Sequence, residues 1–89
     1  MTPDSEKIFL NLKEIMAVLL KVDIGEINAI ANTNSALRDD LGIDSVEGLD
    51  FLTAIESSYS IHISDHDAAK LKTVSDVIDL IFSKKYSEQ

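Results

Sequence analysis

Five apolar residues near the start of the chain, Ile8, Leu12, Ile15, Leu19 and Val22, recur at spacings of four, three, four and three. That period belongs to one face of an α-helix and does not suit the alternation of a half-buried strand. Phe9, Met16 and Leu20 widen the stripe. Thr2-Pro3 offers an N-cap followed by proline at the first helical position, and Asp4 and Glu6 put acids in the first turn, where the helix dipole favours them. The pattern predicts a helix over about residues 3–20. Its polar face is not rich in lysine, so the stripe reads as core rather than as a membrane-surface face.

The helical period returns twice more. Over about 45–59, Leu49, Phe51, Leu52, Ile55 and Tyr59 share one broad side, with Glu47, Asp50, Ser57 and Ser58 opposite. Gly42 permits a turn just before it. Asp44, with Glu47 three residues on, has the spacing of a capping box in which Asp replaces Ser or Thr. Ser45 therefore falls in the first turn, at the edge of a loop, with its hydroxyl toward water. Gly48, inside the helix, costs roughly 1 kcal/mol relative to alanine, unless it serves a close approach by another group. The third segment opens on Thr73-Val-Ser-Asp76, again with capping-box spacing. Val74, Val77, Ile78, Ile81 and Phe82 form its stripe to about residue 85, and Lys84 and Lys85 favour its C-terminal end.

Between these segments, residues 21–44 read as a long connection. Asp23-Ile-Gly25 is expected to end the first helix, and Asn28, Asn32, Thr33, Asn34 and Ser35 supply turn chemistry. Ile24, Ile27, Ile30 and Leu37 would pack it on the bundle, with a short helical turn near 25–30. Ser60-Ile-His-Ile63 reads as an extended link, and Ser64 or Asp65 can cap a short helix over about 65–70. The tail Ser87-Glu-Gln89 is expected to fray. The expected architecture is all-α: a small bundle of three principal helices plus one short helix, in a single domain over 1–89.

With 45% hydrophobic residues the chain can bury a modest core, and without cysteine it has neither a disulfide framework nor a thiolate metal site. No apolar run is long enough to span a membrane, and no basic-then-apolar order marks a signal peptide, so the cytoplasm is the expected compartment. The net charge of −8 is unevenly placed: residues 38–67 hold eight acids against Arg38 alone. Such a surface disfavours nucleic acid and anionic lipid and favours basic protein surfaces.

Chemistry within the chain is excluded in turn. A nucleophilic Ser45 needs a general base, and His62 and His66 read as ordinary surface residues without a G-x-S-x-G elbow. A calcium loop over Asp39–Asp50 fails because Leu41 and Ile43 stand where oxygen ligands belong. No phosphate loop, zinc spacing or Rossmann fingerprint is present. The chain is expected not to be an enzyme and to hold no metal of its own.

Leu41-Gly-Ile-Asp44-Ser45 resembles the L-G-x-D-S sequence of acyl carrier proteins, and Asp44 to Glu56 follows that family's second helix without a gap. Tyr59 sits where the family has an aromatic, Ile63-Ser-Asp65 near its Ile-Pro-Asp, and Thr73, Val74 and Ile78 match its last helix, so the likeness covers about residues 37–82. The resemblance implies that Ser45 receives 4′-phosphopantetheine from coenzyme A through a phosphopantetheinyl transferase, with Asp44 helping to place magnesium in that complex. It implies acyl cargo held as a thioester and shuttled between loading, transferring or condensing enzymes of fatty acid, polyketide or other lipid biosynthesis. Asp39, Asp40, Glu47, Asp50 and Glu56 are then candidates for docking basic partner surfaces. Leu49, Leu52, Ala54, Ile63, Ala68 and Leu71 are candidates for lining an acyl pocket, or plain core. Ser57 and Ser58 stand where the family usually has further acids, and Gly48 where it usually has a bulkier residue; these fit a specialised carrier as well as a housekeeping one. An aminoacyl or D-alanyl carrier, or an unmodified acidic adaptor, is the alternative. Nothing demands more than a monomer.

Overall fold

The computed structural model describes residues 3–86, the last by its backbone alone. The N-cap expected at Thr2 and the frayed tail at 87–89 lie outside the described residues. The elements are α1 (Pro3–Leu20), α2 (Ile24–Ile30), α3 (Ser45–Tyr59), α4 (Asp65–Ala69) and α5 (Val74–Tyr86). Among the described residues there is no β-strand, only an isolated antiparallel bridge between Ala36 and Thr73.

The long α1 is the hub, packing against α2, α3 and α5. Its periodic stripe supplies Ile8, Leu12 and Met16 to the interior, one turn apart along a single face. They meet Phe51 and Ile55 of α3 and Val74, Val77, Ile78 and Ile81 of α5 in one buried cluster. Ile15, Leu19, Phe9, Leu20 and Val22 flank it, half-buried.

Two expectations are corrected in the first connection. The residues Asp23-Ile-Gly25 do not end α1. Lys21 does so, in the left-handed region with φ 59, while Val22 N–H donates to Ala17 O and Lys21 N–H to Val18 O. This is a Schellman pattern on a non-glycine residue. Asp23 is instead the N-cap of α2, and the Glu26 carboxylate accepts its N–H at 3.3 Å. The connection is also held differently. Only Ile27 of the four expected residues is fully buried and Leu37 half-buried, whereas Ile24 and Ile30 are 44% and 52% exposed. On this seven-residue helix Ile24 and Ile30 lie about 60° to either side of Ile27, at the edges of the buried face rather than on its centre line. Ala31, Leu41 and Ile43 complete the anchoring. Ser35, the one buried polar residue described, accepts Asn32 N–H at 3.0 Å and donates to Ile30 O, so its hydroxyl is satisfied.

The later elements are closed by their caps. Ser64, not Asp65, caps α4 by accepting Asp67 N–H at 3.0 Å. At α5, Asp76 N–H donates to Thr73 Oγ1, and the Asp76 carboxylate accepts the N–H groups of Thr73 and Lys72 at 3.0 and 2.9 Å. These two backbone donors, Lys72 first, hold Asp76 below the ordinary carboxylate value. Lys84 lies 3.3 Å from Asp67, joining α5 to α4 and lowering the Asp67 pKa.

Candidate functional site

Residues 36–43 form a compact set of turns that delivers Ser45 to the surface. Leu41 N–H reaches Ala36 O, Gly42 N–H reaches Arg38 O, and Ile43 N–H reaches Leu37 O. Asp40 braces the turn, its carboxylate accepting Ala36 N–H at 2.7 Å. Leu41 and Ile43 point into the core while Gly42 between them takes φ 72, a conformation that side-chain-bearing residues resist. A second set of bonds ties this loop to the entrance of α5: Leu37 N–H to Lys72 O, Val74 N–H to Ser35 O and Ser75 N–H to Thr33 O.

Asp44 is extended (φ −85, ψ −173) and accepts Glu47 N–H at 2.9 Å, so α3 begins at Ser45. Only half of the expected capping box forms, since Glu47 does not reach back to Asp44 among the described hydrogen bonds. Ser45 is exposed and makes no described hydrogen bond. The N–H groups of Ser45 and Val46 also have no partner among the described residues, which leaves an electropositive helix end beside the hydroxyl. Neither histidine borders this position. His62 is exposed and faces Glu56, so neither histidine is placed to act as a general base at Ser45.

A cavity of about 460 Å³ opens next to Ser45. One wall is α3, through Gly48, Leu49 and Leu52, with Phe51 beneath. The other walls are Leu37, Arg38 and Asp39 of the loop, and Ala68, Leu71, Lys72 and Val77 of the α4–α5 region. Four of the six expected pocket residues, Leu49, Leu52, Ala68 and Leu71, thus border one space. Ala54 and Ile63 do not. Ala54 lies on the α1 side of α3, beside Ile15 and Leu19. Ile63 is 7% exposed and belongs to the core. Leu49, on the core side of the helical wheel, is 67% exposed at the rim. Arg38, Lys72 and Gly48 join the lining without having been expected there. Gly48 carries a signal in its spacing from Ser45, one helical turn on, but Lys72 is brought there only by tertiary pairing.

The acids divide into two groups. Asp39 and Asp50 are exposed and Glu47 half-buried, each free of described ion pairs. Asp40, Asp44 and Glu56 are occupied. Glu56 is half-buried, and its carboxylate accepts Ile63 N–H at 2.7 Å, a bond that ties the end of α3 to the following link.

A family profile described as a phosphopantetheine attachment site matches residues 11–81, from the middle of α1 to the middle of α5. This chain belongs to that family. It is 38% identical over 79 residues to an acyl carrier protein of Exiguobacterium sp. (strain ATCC BAA-1283 / AT1b), covering 89% of this chain and 95% of that one. The family's prosthetic group is 4′-phosphopantetheine, and its members are carriers rather than catalysts. Family membership also implies work with a phosphopantetheinyl transferase and with biosynthetic enzymes. The exposed, unengaged Ser45 hydroxyl at a helix start, with open space beside it, fits such a group. Among the described residues no helix is long and apolar enough to cross a membrane, and no cluster of side chains could hold a metal ion.

Proposed function

We propose that Ser45 is the attachment point of the arm and that the chain carries acyl groups between enzymes of fatty acid, polyketide or another lipid-forming pathway in the cytoplasm. The observation that carries this reading is the position of the hydroxyl: water-exposed, at the first residue of α3, on the rim of a largely apolar cavity. The arm supplies a terminal thiol on which cargo is held as a thioester. The chain's own residues present the hydroxyl, keep it clear of both histidines, and offer the cargo shelter. Asp44 accepts the capping N–H on Oδ1, and its exposed carboxylate would help to hold a magnesium ion brought by the transferase. The helix end favours a phosphate on Ser45 by roughly 0.3–1 kcal/mol.

Docking is assigned to Asp39, Glu47 and Asp50, with Val46 and Leu49, 70% and 67% exposed, as apolar contacts on the same stretch of α3 as Glu47 and Asp50. Each exposed ion pair there contributes about 0–1 kcal/mol, which suits contacts that must form and release quickly. The cavity favours aliphatic acyl cargo over an aminoacyl group, because Leu37, Ile43, Leu49, Leu52, Ala68 and Leu71 make up much of its lining.

Incubation with coenzyme A and a promiscuous phosphopantetheinyl transferase, followed by intact-mass measurement, tests the reading. Wild type should gain one arm and Ser45→Ala none. A wild type that gains no mass would leave an unmodified acidic adaptor as the better description, and a loaded Ser45→Ala would move the site elsewhere.

A further inference from the structure

The phosphodiester of an arm on Ser45 adds negative charge to the part of the chain where acids already outnumber bases eight to one. Asp39 and Asp44 border the same cavity as Ser45 and repel it. Yet that cavity also has two cations in its wall, Arg38 and Lys72. They come from distant parts of the sequence, and the backbone brings their two stretches together: Leu37 N–H donates to Lys72 O at 2.9 Å, next to the Ala36–Thr73 bridge. Both are exposed, and neither side chain makes an ion pair or hydrogen bond among the described residues. The Lys72 ammonium, unlike that residue's backbone N–H, adds only the weakest of several influences on Asp76. The lysines at the far end of the bundle are engaged instead, Lys84 with Asp67 and Lys85 with Tyr59 O.

We propose that Arg38 and Lys72 form a cationic clasp for the phosphodiester on Ser45, offsetting its repulsion from Asp39 and Asp44 and drawing the arm across the cavity mouth. The inference rests on Ser45 being the attachment point. Arginine offers a planar fork that can take two phosphate oxygens, and lysine a mobile point charge. Both contacts are at the surface, so salt weakens them.

The test uses loaded wild type, R38Q/K72Q and the charge-keeping R38K/K72R, each verified by intact mass and by an unchanged melting temperature. Phosphorus NMR then reads the phosphodiester directly. At about 20 mM NaCl the wild-type resonance should be shifted and broadened relative to R38Q/K72Q, and at about 500 mM it should approach the variant's position. R38K/K72R should resemble wild type. Equal position, width and salt response in wild type and R38Q/K72Q would overturn the clasp, as would a charge-keeping variant that behaves like the glutamine one. A wild type that cannot be loaded fails at the mass measurement, and there it is the assignment of Ser45 that falls, the clasp with it.

Discussion

Gly42 and Gly48 stand three residues to either side of Ser45 and place opposite demands on the backbone. Gly42 holds φ 72, so Gly42→Ala should cost about 1 kcal/mol although the space around it is open. Gly48 is helical, and a methyl group added there would meet nothing within 4 Å, so Gly48→Ala should gain roughly 1 kcal/mol. Urea midpoints at unchanged slope measure both. The open space at Gly48 also answers its place in the sequence: no group among the described residues requires the glycine, and it borders the cavity beside Ser45. Ser45 itself is legible in the sequence because its setting is local, a turn glycine, a capping Asp and an apolar period in succession. Leu49 is not, because a helical wheel gives the direction of a side chain but not how far the neighbouring helices reach along that side.

At the level of elements, the caps explain most of what can be read. Thr73 and Asp76 form the reciprocal pair that their spacing predicts. Because the folded chain binds the charged form of Asp76 more tightly, its pKa falls below the ordinary value. The sign follows: the carboxylate's contribution is present above about pH 4 and is lost as pH drops through the lower folded-state value. Asp76→Ala should therefore cost about 1 kcal/mol at neutral pH, and its deficit relative to wild type should shrink in acid, as pH-dependent denaturation would show. Glu56 illustrates a role that sequence does not show. Its place among the acids suggests docking, but its partner is the backbone of Ile63. Glu56→Ala leaves that half-buried N–H without its acceptor and should cost about 1–3 kcal/mol, with faster amide exchange at Ile63, whereas Glu56→Gln keeps an acceptor and should lose less. The first connection is the hardest part to read, since its short helix and its glycine sit among residues that equally suit turns.

Over the whole molecule, the charge distribution is the property best read from composition and position, because like charges need no tertiary contact to be counted. Glu47→Lys with Asp50→Lys should slow loading by the transferase on the order of tenfold at low salt, with less effect at high salt and an unchanged melting temperature. Equal loading rates at low salt would remove α3 from the docking surface. The part that composition does not show is the seam joining residues 33–37 to 72–75, whose pairing depends on chain closure over long sequence separations. That seam has a consequence for how the site is completed in folding. One wall of the space beside the acceptor hydroxyl, and the partners that brace the loop presenting it, come from residues 68–77, well separated in sequence from Ser45. The acceptor's surroundings are therefore finished only when residues 71–77 have closed onto residues 33–38, however well α3 and its turn have already formed.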